Sequence, residues 1–156
     1  EAKKRIMRVS KEALNMLDAA CDQIGKRFIS DRLPPALTAA ESESTSESNT
    51  GFKIWPNTLV RLIRPGIARL ALEDGKAILY HCVDNSRVYQ GNPLSPMEFE
   101  LDDAPALEAL LTTTEPHWIQ VQDLIHDDNQ DKMDIAQSLY DEGILAVLAP
   151  DKSVQA

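Results

Sequence analysis

Apolar positions near the start of the chain recur every three or four residues. Ile6, Val9, Ala13, Leu17, Ala20, Ile24 and Phe28 fall on one stripe, which Met16 and Cys21 widen. That is the period of an amphipathic helix, and Lys3, Lys4, Arg8, Lys11, Asp22 and Lys26 lie largely off the stripe. Gly25 weakens the helix mildly, by about 1 kcal/mol against Ala. Leu33-Pro34-Pro35 ends it, because proline disfavours the α region in the residue before it. A lone helix has nothing to bury such a stripe against, so residues 6–28 need a partner, either in this chain or in a second subunit. Residues 38–50 then hold no side chain larger than Glu and no aliphatic beyond Ala. Such a stretch cannot offset the entropy lost on ordering, and it predicts a flexible linker over 34–51.

From Phe52 the period shortens to two. Thr58–Arg64 alternates Leu59, Arg61 and Ile63 against Val60, Leu62 and Arg64, Pro65-Gly66 interrupts, and Ile67–Glu73 is a second run. Asp74-Gly75 is a strong hairpin signal into Ala77–Cys82. Asn85–Gln90 and Met97–Leu101 are two further strand candidates, divided by the turn-rich Gly91-Asn92-Pro93. After Leu101 the pattern turns helical. Asp102 or Asp103 caps a helix with Pro105 in its first turn and Leu107, Leu110 and Leu111 on its apolar side.

Trp118–Val121 reads as a short extended piece and Gln122–His126 as a single turn. A longer helix runs from a cap at Asp128 or Asn129 to Glu142, with Met133, Ile135, Ala136, Leu139 and Tyr140 apolar and Gly143 as its left-handed stop. Ile144–Leu148 is the last strand, and Pro150 closes the order. Helix, short strand, turn, longer helix and strand is the order of a winged helix. The predicted fold class is α+β: a long N-terminal helix over 1–33, the linker over 34–51, then a small β-strand region and winged-helix domain over 52–150.

The composition, 43% hydrophobic and 26% charged, is that of an ordinary globular chain that can build a core without metals or disulfides. No apolar run approaches the ~20 residues of a membrane span. The start, Glu1-Ala2-Lys3-Lys4-Arg5, has no initiator Met and no apolar stretch behind its charges, so it reads as a piece of something longer with no signal peptide in view. Charge changes the picture more. Residues 92–156 hold Lys132 and Lys152 against fourteen acids, a net of −12 in a chain whose total is −9. The longer helix carries Asp131, Asp134, Asp141 and Glu142 against Lys132 alone. Laid along DNA it would repel phosphate, which argues against direct DNA binding and for a protein-facing or structural role. The basic residues Arg61, Arg64, Arg69, Lys76 and Arg87 read as solvated strand faces and as partners of the acidic C-terminal third.

Catalytic chemistry finds little purchase. His126-Asp127-Asp128 spells H-x-D, two of the three ligands of a non-haem iron triad, but no later His follows and the trio sits where a helix cap is expected. His81 and Cys82 alternate along a strand and point apart, and His117 stands in a turn. There is no phosphate-cradling glycine loop and no G-x-S-x-G. Cys21 and Cys82 form no ligand spacing and read as reduced intracellular thiols. No catalytic, cofactor-binding or metal residue is assigned.

Three stretches nevertheless carry a likeness: Phe28-Ile29-Ser30-Asp31-Arg32-Leu33-Pro34-Pro35, Val60 through Leu70, and Asp84-Asn85-Ser86-Arg87-Val88-Tyr89. With the closing Asp141-Glu142-Gly143-Ile144-Leu145 they resemble the JmjC ribosomal oxygenases, also described as bifunctional lysine-specific demethylases and histidyl-hydroxylases, most closely the nucleolar branch. The resemblance runs over about residues 14–148 apart from the linker. It implies a parent enzyme in which a double-stranded β-helix barrel holds Fe(II) and 2-oxoglutarate, followed by a helical dimerisation region and an acidic winged helix. That barrel is expected N-terminal of residue 1, and the family's iron ligands carry over to no position here. It further implies a nuclear and nucleolar homodimer acting on a ribosomal-protein histidine and on histone lysines. In that frame Ile6, Val9, Ala13, Leu17, Ala20, Ile24 and Phe28 dimerise, and Asp127, Asp128, Asp131 and Asp134 form an acidic surface for basic substrates. The alternative from another class is a non-enzymatic winged-helix module that binds a protein partner.

Overall fold

A computed structural model describes residues 2–86, 88 and 95–148. Helix α1 spans Ala2–Asp31 and α2 spans Ala39–Glu43. The strands β1 (Leu59–Leu62), β2 (Ala68–Glu73), β3 (Lys76–His81) and β4 (Met97–Phe99) follow. After them come α3 (Ala104–Thr112), β5 (Ile119–Gln120), α4 (Asn129–Asp141) and β6 (Leu145–Val147). The α+β class predicted from periodicity is the architecture found.

Two antiparallel three-stranded sheets organise the body, one in the order β5-β1-β6 and the other β2-β3-β4. Asp74 and Gly75 both take positive φ (51° and 77°), the geometry of a two-residue primed turn whose twist matches the strands it joins. β3 lies between its neighbours and buries five consecutive residues, Ala77–His81, because α1 and the adjoining elements cover it. Leu107 and Leu110 of α3, Leu139 and Tyr140 of α4, Val60 of β1 and Leu145 of β6 are fully enclosed in the same core as Leu79 of β3. Both sheets therefore share one interior. Gly143 stops α4 at φ 80°, as its position predicted.

The predicted linker is instead folded. Thr38 and Glu41 make a reciprocal capping box on α2: the Thr38 hydroxyl accepts from the Glu41 amide, and the Glu41 carboxylate accepts from the Thr38 amide at 2.7 Å. Glu41 also takes a two-pronged bond from Arg64, 2.7 Å on each arm. Thr45 is fully buried and donates its hydroxyl to the Ser42 carbonyl. The Ser44 carbonyl accepts from the Val147 amide at 2.9 Å, so the segment lies along the edge of β6. Composition misjudged this stretch because its order comes from caps and ion pairs rather than from apolar area.

Two smaller corrections concern local chemistry. The chain enters α3 through a 3₁₀ turn at Leu101–Asp103, and the Asp103 carboxylate bonds back to the Glu100 amide instead of capping α3. Asn85 and Ser86 are not strand, because the Asn85 side chain is turned onto the end of α1. Arg87, Tyr89, Gln90, the Gly91-Asn92-Pro93 turn and Pro150 lie outside the described residues.

Candidate functional site

Helix α1 has two faces with different fates. Asp22, Gly25, Lys26 and Ile29, spaced three and four apart, face the β2–β3 hairpin, and Ile29 is only 4% exposed. Arg69 of β2 reaches Asp22 at 2.8 Å, passing so near Gly25 that a Cβ there would stand 2.5 Å from its Nε. Gly25 leaves room for that close approach. Lys26 lies 4.4 Å from the Tyr80 ring centroid and 3.1 Å from Glu73. Contact with Tyr80, then with Glu73, raises the ammonium above its ordinary pKa. Asn85 closes the helix end, donating its side-chain amide to the carbonyls of Ile29 (2.8 Å), Ser30 (3.3 Å) and Arg32 (2.7 Å).

The apolar stripe is on the opposite side of the helix. Ile6, Val9, Ala13, Leu17, Ala20, Ile24 and Phe28 are all exposed, from Leu17 at 59% to Ile24 at 71% among the larger ones. Among the described residues nothing covers them. Met16 widens this apolar surface, and Met7 and Leu14 are exposed on other sides of the helix. Single exposed apolar residues are ordinary on a folded protein, but a contiguous face of this kind marks an interaction site.

The second predicted surface gathers at the start of α4. Asp127, Asp128, Asp131 and Asp134 are all exposed. Asp128 is the N-cap and accepts from the Gln130 amide at 2.6 Å, and Asp134 accepts from the Gln130 side chain at 2.9 Å. Asp131 lies in the first turn, where the helix dipole favours an acid. Local structure thus accounts for part of the charge. The only lysine on the helix, Lys132, donates to the Gln122 carbonyl.

His126 belongs to this cap. Its Nδ1 accepts from the Asp128 amide at 3.1 Å, and its Nε2 faces Asp103 Oδ1 at 3.2 Å. Both ring nitrogens have local partners and the Asp128 carboxylate is spent on Gln130, so these residues do not fit an iron triad. His117 is exposed and His81 is buried on β3. Cys82 is fully buried, and burial raises its thiol pKa, the setting of an inert thiol. The basic strand residues are paired: Arg61 stacks 4.4 Å from the Trp118 ring centroid and approaches Glu115, and Lys76 meets Glu100. Arg64 and Arg69, however, pair with Glu41 and Asp22, ahead of the acidic C-terminal third. Sequence reasoning missed Asn85 and Glu41. The Thr-x-x-Glu spacing at 38–41 was the available signal for one, and the Asn85-Ser86 motif for the other.

The arrangement of β1, α3, β5, α4 and β6 around one core defines a winged-helix domain carrying a projecting helix. A family model described as "Ribosomal oxygenase 1, C-terminal winged helix domain" matches residues 33–150, so the chain belongs to that family. The chain is 37% identical over 132 residues to a Dictyostelium discoideum protein named bifunctional lysine-specific demethylase and histidyl-hydroxylase NO66, covering 83% of this chain and 25% of that one. Ribosomal oxygenase 1 of Rattus norvegicus and of Homo sapiens is each 37% identical over 145 residues, which is 86% of this chain. The chain spans about a quarter of the length of these curated relatives.

Proposed function

We propose that this chain is the dimerisation and winged-helix region of an Fe(II)- and 2-oxoglutarate-dependent dioxygenase that hydroxylates a ribosomal-protein histidine and demethylates histone lysines in the nucleus and nucleolus. The names and coverage of the relatives support the parent activity. On this reading Fe(II) and 2-oxoglutarate are held by a barrel outside residues 1–156, where oxidative decarboxylation of the co-substrate drives oxidation of the target. This chain's own residues contribute assembly and approach.

The observation that carries the reading is the bare stripe of α1 from Ile6 to Phe28, on a helix that, among the described residues, docks to the body only through Asp22–Ser30. A second copy of the same helix is the occupant we assign, because a stripe repeating on one side of a long helix is self-complementary about a two-fold axis. Light scattering on the chain is expected to give twice the monomer mass, and Leu17→Asp to give a monomer with unchanged helical content. A wild-type monomer at tens of micromolar would remove the dimer.

The acidic start of α4 draws basic protein segments toward the assembly by long-range attraction. Reversing Asp127, Asp128, Asp131 and Asp134 to Lys in the parent enzyme is expected to lower kcat/KM for a basic substrate roughly tenfold at low salt, with the difference vanishing at high salt. Unchanged turnover at low salt would remove this role.

A further inference from the structure

We propose that His81, Asp84 and Glu142 form a binding site for a divalent transition cation of the zinc type. Their ligand atoms all lie within 4.8 Å of one another. The three come from separate places: His81 ends β3, Asp84 is in the turn that follows, and Glu142 caps the C-terminus of α4. They are brought together by the fold, with no local capping motif that would require all three.

The buried imidazole points to a ligand. The His81 side chain is 1% exposed. Its Nε2 lies 3.1 Å from the Ser95 carbonyl. A carbonyl only accepts, so Nε2 carries the hydrogen. In the neutral ring Nδ1 is then a bare lone pair, and among the described residues it has no hydrogen-bond partner. It faces Asp84 Oδ1, another acceptor, at 3.4 Å. A buried imidazole lone pair held against the carboxylate of a partly exposed Asp84 calls for a cation shared by the two.

The geometry suits a metal. Two ligands on a tetrahedral ion with bonds of about 2.1 Å stand ~3.4 Å apart, which is the His81–Asp84 separation. A histidine ligand commonly donates its other ring N–H to a backbone carbonyl, fixing tautomer and orientation, as the Ser95 contact does. Glu142 stands on the Nε2 side of the ring, 3.8 Å from that nitrogen, and a rotation of its exposed side chain brings a second carboxylate to the ion, so the ligand charge balances a dication. One imidazole nitrogen and two carboxylate oxygens leave a fourth position for water. Asp84 and Glu142 are partly exposed and both line a cleft of about 720 Å³ with Pro34, Leu37 and Glu47, which gives an ion a way in. Bound there, it ties the end of α4 to the turn whose Asn85 seats α1.

The experiment is zinc binding by the chain carrying Cys21→Ser, so that the exposed thiol does not compete. Equilibrium dialysis is expected to find one zinc per chain, and cobalt in its place to give the visible absorption of a tetrahedral site. At a zinc concentration about 100 times Kd, Tm is expected to rise by roughly 5–10 °C. Asp84→Asn and Glu142→Gln, on partly exposed side chains, are each expected to weaken binding at least about tenfold while leaving the zinc-free Tm nearly unchanged. Absence of zinc binding, with a proton alone occupying Nδ1, overturns the site, and so does stoichiometric binding that the double variant retains. Neither result bears on dimerisation through α1.

Discussion

The outer face of α1 and the segment 38–50 exchange the fates their compositions suggest. The first is a run of aliphatic side chains and stays in solvent, with Ile24 71% exposed. The second is built from Ser, Thr, Glu, Asn and Ala, yet it folds against the body with Thr45 fully buried. The difference lies in what each can reach. The stripe points away from the hairpin that seats Asp22–Ile29, whereas Glu41 and Ser44 meet matched partners in Arg64 and the edge of β6. Apolar area drives burial only where geometry provides a complementary surface, and satisfied polar groups can order a chain that has little apolar area to bury.

The sharpest way to break this comparison is within α1 itself. Ile29→Ala removes a buried side chain and is expected to cost about 2–5 kcal/mol in chemical denaturation. Ile24→Ala, on the opposite side, is expected to cost less than about 0.5 kcal/mol in samples dilute enough to be monomeric. A rise in that cost with protein concentration would report the second copy directly.

Asn85→Ala comes next. It strips the last carbonyls of α1 of their donor, and the loss of these bonds is expected to cost about 1–3 kcal/mol. Hydrogen exchange should quicken at the end of α1 while the core of α3 and α4 keeps its protection. Uniform loss of protection across the domain would show that the α1 end is not separately held.

Glu41→Gln tests the other region. Glutamine can still accept from the Thr38 amide, so the variant isolates the charge facing Arg64, and a cost of about 1 kcal/mol is expected. The sign with pH follows from the Arg64 guanidinium and then the Thr38 amide, which lower the Glu41 pKa from 4.5 to about 2. Wild type should exceed the variant fully above about pH 4.5, and that margin should be lost as pH falls through about 2. Denaturation curves for both proteins across this window check it. A margin independent of pH would mean the carboxylate charge is not what holds α2.

What could be read from the sequence divides along the same line. Strands β1 to β3, the Asp74-Gly75 turn, α4 and its Gly143 stop are local patterns whose physics acts over a few residues, and they are where periodicity placed them. Which face of α1 is buried was not readable, because Asp22, Gly25 and Lys26 dock through ion pairs, a missing side chain and an aromatic ring. The order of 38–50 depends on Arg64 and Val147, distant in sequence. His81, Asp84 and Glu142 converge only once β3 and α4 have packed. Pairings between separated positions leave no period to detect.

The smallest expected effect concerns the pair that most resembles Glu41–Arg64 on paper. Arg8 and Glu12 also meet at 2.9 Å, but one turn apart on the exposed part of α1, with side chains 81% and 61% exposed. Water and salt screen both charges, and two long side chains lose rotamer freedom to hold one geometry. Neither partner restrains anything but its own helix, whereas Glu41 and Arg64 join positions 23 residues apart in the chain. Glu12→Gln is therefore expected to change stability by no more than about 0.5 kcal/mol, with helical content unchanged by circular dichroism. A cost equal to that of Glu41→Gln would mean that the solvated part of α1 is not solvated in solution, and that the second copy reaches Arg8 and Glu12 as well as the stripe.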